Sequence, residues 1–433
     1  MLKIRTMFLE FLNLKNKEGE MKKIMLLTFI FVSLLFSEVL TLKNGIPVIY
    51  KKTEGIDVFS IGVLFKGGSA KYEKGMDGVE LFSLNAILEG TKKHPYPELQ
   101  KIMTREGIQK RVETDFDYSV LIFKSPLRSY KKTINLIAEV LNEPELDPDR
   151  IKIVKNRLIA NAKRREESPN TKLFDLLNKV FYKNHPYLID PQGRVNTLEK
   201  FGIEDVKKFL EQNFHAGGIV IGVTGPVEKT EILNLLNETF GNLPEKEFKI
   251  KELPDFSPKD TFFFVKEPNY KTSYVACKFP LPSVTHKDYP AILALSEILS
   301  NRFEEKVRTK TGISYAVFAG SSMRKRNYGY FYVSSSLPDS AWKMMLEEVE
   351  KIKKEGVKEK EIKETLNLWK TYRFLQNAST DGALMVLFRS YILTGKPDYI
   401  DSIISKIEEV KPDDIKRCAI QYLKAYTTIK LGP

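Results

Sequence analysis

Side chains that could bind a transition metal or move a proton near neutral pH are scarce in this 433-residue sequence. There are four histidines, His94, His185, His215 and His286, and two cysteines, Cys277 and Cys418. A helical two-histidine metal site needs imidazoles three or four residues apart, so that both reach one face. No two histidines here have that spacing. Two cysteines exclude a disulfide scaffold and every multi-cysteine zinc or iron–sulfur site. His94 and His185 each precede a proline and read as loop residues. Cys277 and Cys418 read as two separate core thiols, with a disulfide between them the alternative in an oxidising compartment.

The elements that would position any site come next. The length suits two domains, and the 42% hydrophobic and 11% aromatic shares exclude a disordered or fibrous chain. The net charge of +13 is spread among interleaved acids, as in Lys353 to Glu364, and no basic block carries stacking aromatics. Nucleic acid is therefore not expected as a partner. Met21-Lys22-Lys23, the apolar run Ile24 to Phe36 and Ser37 read as a cleaved secretory signal over residues 21–37, too short to span a bilayer. Residues 1–20 read as an upstream extension. The expected location is the bacterial periplasm or outside, with no stable membrane insertion once the signal is removed.

An Asn44-Gly45 turn between alternating segments predicts a hairpin over Val39 to Tyr50. Strands are expected at Asp57 to Phe65, Tyr118 to Phe123 and Gly218 to Val223. Helices are expected at Gly78 to Leu88, Glu98 to Glu106, Leu127 to Leu141, Asp149 to Glu167 and Glu204 to Phe214. The last helix and strand of this half are echoed by Asp413 to Tyr422 and Thr427 to Leu431, so an α+β unit is repeated. The sequence thus divides into an N-terminal domain over 38–240, a linker over 241–259 and a C-terminal domain over 260–433. Each domain is expected to pack helices on a mostly antiparallel sheet. The basic stretch Ser321 to Asn327 reads as a solvated hairpin tip.

Three stretches in order resemble the insulinase/pitrilysin family of zinc metallopeptidases, especially its two-domain, processing-peptidase-like branch. They are LTLKNGIPVIYKK at Leu40 to Lys52, GVELFSLNAILEGT at Gly78 to Thr91 and LSNRFEEKVRTKTGISY at Leu299 to Tyr315. His185-Pro186-Tyr187 with Gly193 is a weaker fourth point. The resemblance implies a zinc site built from an H-x-x-E-H helix and a distant glutamate. At the matching positions stand Leu81, Leu84, Asn85 and Asn161. Leucine offers zinc no lone pair, and an amide is a poor ligand and no general base. The spacing of Leu81, Leu84 and Asn85 puts them on one helical face, which reads as packing. Glu80, Glu89, Glu166 and Glu167 lie near enough in sequence to be considered as substitutes, and read as solvated carboxylates.

The family's peptide-holding arginine and tyrosine correspond to Arg308 and Tyr315, with Gly312 at the turn between them. Taken together, the resemblance implies a non-catalytic subunit that is no peptidase by itself and holds no metal. A catalytic family member would be its partner and would carry the zinc, and a homodimer is the other assembly considered. Peptide is the expected substrate. A scaffold without any part in proteolysis, and an independent hydrolase using another site, are the alternatives.

Overall fold

The computed structural model describes residues 37–257 and 260–433. The upstream extension and all of the expected signal before Ser37 lie outside the described residues. Among the described residues no helix is long and apolar enough to cross a membrane.

The first sheet has six strands: β1 (Glu38–Thr41), β2 (Pro47–Lys52), β3 (Val58–Lys66), β4 (Gln109–Thr114), β5 (Tyr118–Pro126) and β6 (Ile219–Gly225). The second has five: β7 (Thr261–Lys266), β8 (Ser273–Leu281), β9 (Ser314–Ser321), β10 (Asn327–Ser335) and β11 (Thr427–Gly432). Their orders are β1-β2-β6-β3-β5-β4 and β7-β11-β8-β10-β9. Without the β1 flap, both sheets run first, fifth, second, fourth, third in chain order. Each has one parallel pair, β2 with β6 and β7 with β11, and is otherwise antiparallel. The molecule is an α+β fold built twice on one plan.

Helices of the first half are α1 (Val79–Ala86), α2 (Tyr96–Glu106), α3 (Tyr130–Asn142), α4 (Pro148–Glu166), α5 (Pro169–Phe181), the single turn α6 (Val195–Leu198), α7 (Ile203–Asn213) and α8 (Lys229–Thr239). Those of the second are α9 (Tyr289–Phe303), α10 (Pro338–Glu355), α11 (Glu359–Asn377), α12 (Thr380–Thr394), α13 (Tyr399–Glu408) and α14 (Pro412–Tyr422). The long helices α4 and α11 are each 19 residues and end at a break that restarts the chain as a second helix. At Ser168 the following Pro169 occupies the first turn of α5, where its missing N–H costs nothing. At Ser379 the hydroxyl caps α12 by accepting from Gly382 N.

These restarted helices cross to the opposite half. Along β3, Phe59, Ile61, Val63 and Phe65 face the main N-terminal core, while Ser60, Gly62 and Leu64 face the other way. That second face is covered by Leu384, Leu387 and Phe388 of α12, which comes from the C-terminal half. Reciprocally, Leu173 and Leu177 of α5 cover Ala276, Tyr332, Ile429 and Leu431 of the second sheet. Full burial of a side chain such as Phe388 contributes about 2–3 kcal/mol. Cys277 and Cys418 are free thiols buried in the same C-terminal core, as two core thiols rather than a bridge.

The basic tip between β9 and β10 is not solvated, contrary to its reading from sequence. Arg324 Nε lies 3.1 Å from Asp115 Oδ1, and its guanidinium stands 4.4 Å from the centre of the Phe116 ring. Lys325 N donates to Asp117 Oδ2 at 2.9 Å, and Arg326 N donates to the Tyr187 hydroxyl at 3.2 Å. Asp115 thus pairs with one of the charges that sequence alone assigned to water, and Asp117 accepts a backbone N–H of the same tip. Beside this contact, residues 241–257 form no helix or strand, and their Phe256 packs on Phe181 and His185.

Candidate functional site

The site is organised by α1. Gly78 precedes it with φ +81°, and a β-carbon there would stand 2.4 Å from Gly193 Cα, so the helix start and the 190–194 loop touch through two glycines. From this start, Leu81 and Asn85 reach a cleft of about 400 Å³ that Asn161 of α4 also lines. Leu84 does not join them. At roughly 100° per residue, position 84 turns to the other side of position 81 from position 85. Leu84 is fully buried in the core. The expected single packing face is therefore split: one leucine packs, and the other two positions border an open space.

What fills the site electrostatically is cationic. Arg157 Nη2 donates to Asn85 Oδ1 at 3.2 Å, and Arg164 Nη2 donates to Asn161 Oδ1. Asn85 Nδ2 is turned back onto Leu81 O at 2.8 Å. Lys110 of β4 donates to Leu88 O at 3.3 Å, and Arg165 pairs with Asp190 at 3.0 Å. Loss of bulk water lowers the Lys110 amine below the ordinary lysine range; Glu89 opposes the shift, and Arg157 and Arg150 add to it.

Of the carboxylates considered as substitutes, Glu80 and Glu89 are engaged elsewhere, while Glu166 and Glu167 are exposed as expected. Glu80 is buried, not solvated: its Oε1 lies 2.5 Å from Lys71 Nζ and accepts from Tyr72 OH at 3.2 Å, and Ser119 Oγ donates to Oε2. Burial pushes the Tyr72 phenol well up and the Lys71 amine down, with Glu80 working against the second shift. Glu89 is also buried, held by Arg150, whose guanidinium stacks 3.4 Å from the Tyr96 ring centre. Glu166 accepts from Val195 N at 3.1 Å, and Glu167 is exposed.

His94 and His185 are buried in loops. His94 Nδ1 lies 2.7 Å from Glu139 Oε1. Among the described residues no group of three or more His, Cys, Asp or Glu side chains could hold a metal ion. The zinc that the fold family implies does not fit this donor set. Two of the four positions are aliphatic, the other two are amides, and a guanidinium lies 3.2 Å from the Asn85 oxygen.

The second-half pair lies on a different surface. Arg308 sits in a π-helical stretch, Glu304–Lys310, that continues α9, and its Nη1 is 2.7 Å from Glu304 Oε1. Gly312 N donates to Arg308 O, and Gly312 has φ +67°, a conformation that favours glycine. The chain then enters the edge strand β9, where Tyr315 is 68% exposed. Nearby, Arg302 clamps α9 to α11 through Glu361 at 2.8 and 3.0 Å, and Phe303 and Val307 are core. Neither Arg308 nor Tyr315 lines the α1 cleft. Sequence reasoning missed Lys110, Arg157 and Arg165 as neighbours of the altered positions. The signal for one was present, since Arg157 stands four residues before Asn161 on α4.

Residues 47–190 match the family model described as insulinase (peptidase family M16), and residues 200–368 match that described as peptidase M16 inactive domain. The chain belongs to the insulinase (M16) family of peptidases and is a non-catalytic homologue lacking its H-x-x-E-H motif. A Helicobacter pylori protein named zinc protease PqqE is 23% identical over 414 residues, spanning 92% of this chain and 93% of its own. A second H. pylori protein, named non-peptidase homolog YmxG, is 22% identical over 404 residues, spanning 89% and 90%. The crystal structure of a peptidase M16 inactive domain from Pseudomonas fluorescens superposes with a TM-score of 0.83 at 18% identity, over 92% of this chain and 98% of that one. A relative named as a protease and one named as a non-peptidase are thus about equally similar to this chain.

Proposed function

We propose that the chain is the non-catalytic, substrate-binding subunit of an exported, heterodimeric insulinase-family zinc metallopeptidase. A partner chain with an intact H-x-x-E-H helix would supply zinc and general base. Arg308 and Tyr315 would hold the peptide from this side. One observation carries the reading: the zinc positions have lost every ligand, while the Arg-Gly-Tyr signature retains its exposed turn. Arginine offers five donors in a fixed fork, suited to peptide carbonyls, and the phenol adds an amphipathic donor. Glu304 holds Arg308 by an exposed pair worth little, so a substrate could displace it at small cost.

The test is a complemented assay with a similar-length chain bearing H-x-x-E-H. The mixed complex should cleave peptides while this chain alone neither cleaves nor retains zinc. Arg308→Ala and Tyr315→Phe in this chain should lower kcat/KM of the complex by roughly ten- to a hundredfold. Unchanged kcat/KM in both variants would remove the assigned role.

A further inference from the structure

The α1 cleft is lined by more cations than acids. Its lining includes the cations Lys110, Arg157 and Arg165 and only one acid, Glu89. That acid is already held by Arg150, and Arg165 is already held by Asp190. Arg157 has no carboxylate partner among the described residues; one of its five donors is spent on the neutral Asn85 amide. Lys110 donates to the Leu88 carbonyl, and the acid beside it, Glu89, is the one already held by Arg150. Two cations therefore face a space of about 400 Å³, large enough for one acidic side chain or a chain end. Leu81, Val112 and Leu158 supply apolar wall beside these cations.

We propose that this cleft binds a peptide carboxylate, with Arg157 and Lys110 as its charge partners and the Asn85 and Asn161 amides beside them. A guanidinium presents two parallel N–H groups to a carboxylate, and Arg157 is free to do so because its present acceptor is neutral. The carboxylate could come from an aspartate or glutamate side chain or from a free C-terminus. The inference stands on the cleft and not on the role of Arg308.

Isothermal titration calorimetry of the isolated chain with three short peptides tests it. One carries a glutamate and an amidated C-terminus, one is neutral with a free C-terminus, and one is neutral and amidated. Either or both of the first two should bind, and which one does identifies the source; the third should not. Arg157→Gln should weaken binding roughly ten- to a hundredfold, with the thermal midpoint unchanged because no ion pair is lost. Lys343→Gln, at an exposed lysine of α10 that does not line the cleft, should bind as the unaltered chain does; the titration uses this chain without a partner and without cleavage, so it and the complemented assay fail independently. Equal binding of the neutral amidated peptide, unaltered affinity in Arg157→Gln, or no binding by any peptide would overturn the proposal.

Discussion

Gly222 of β6 lies directly beneath Phe388 of α12, so closely that a β-carbon on the glycine would stand 2.6 Å from the ring's Cζ. A β-carbon on Gly62, which pairs with Gly222 across β3 and β6, would stand 2.7 Å from the same ring. Two glycines side by side make a trough in the N-terminal sheet for a helix of the C-terminal half. Gly222→Ala should cost about 1–3 kcal/mol through overpacking, and Phe388→Ala about 3–5 kcal/mol through the cavity it leaves. Urea unfolding of both variants measures this; a Gly222→Ala midpoint equal to that of the unaltered chain would mean that the helix is not seated so tightly.

Arg324 should matter more than an exposed arginine. It meets Asp115, the Phe116 ring and the Tyr328 hydroxyl at once, two of them in the other half. Arg324→Ala should cost about 2–3 kcal/mol, since it strands an inward-facing acid and removes a stacked cation. Arg324→Lys should fall between, keeping charge but losing the planar fork. The denaturation midpoints of the three proteins provide the comparison.

His185 predicts an acid-sensitive contact. Its Nδ1 accepts from Tyr187 N and its Nε2 donates to Pro254 O, both at 3.0 Å, an arrangement that requires the neutral ring. Burial lowers its pKa from 6.5 to about 4, with Arg326 adding to the shift and the Pro254 carbonyl and Asp255 opposing it. A folded-state pKa below the unfolded one means that the unfolded chain takes up the proton first. The stabilisation is complete above about pH 6.5 and is lost as pH falls toward about 4. Allowing for solvent screening, it amounts to about 1–2 kcal/mol. His185→Gln should flatten stability across that interval, and an undiminished slope in this variant would assign the acid sensitivity to other groups.

Lys278 predicts the opposite end of the pH scale. It is fully enclosed, bonded to Asn178 and Tyr182, with the Tyr328 ring centre 4.0 Å from its amine. Burial, with Arg324 adding repulsion, holds the amine well below its usual range. Between that lowered value and 10.5 the unfolded chain binds more protons, so stability should climb with pH through this window. Lys278→Met should abolish the climb and raise stability near pH 7 by about 1 kcal/mol. Thermal melts from pH 6 to about 10 would detect both effects, and a steeper climb in the variant would contradict them.

Local signals carried much of the fold. The Asn44-Gly45 turn, the glycine before α1 and the repeated helix–strand ending each act over a few residues. The crossing helices α5 and α12 were missed because periodicity reports an apolar face without saying which sheet covers it. The Arg324 tip was misread for the same reason, since Asp115 is 209 residues away and a run of basic residues looks solvated in isolation. In the cleft, the identities of Leu81, Asn85 and Asn161 were legible, but the excess of cations was not. Lys110, Arg157 and Arg165 come from two elements, β4 and α4, and only folding brings them to one space.

The exchange of α5 and α12 also limits how the molecule can move. Each half contributes one wall of the other's interior, so prising them apart would strip water-shy faces from both sheets at once. Relative motion of the halves would have to break both of these contacts together. A peptide that needed a wider gap between the halves would have to work against both crossing helices at once.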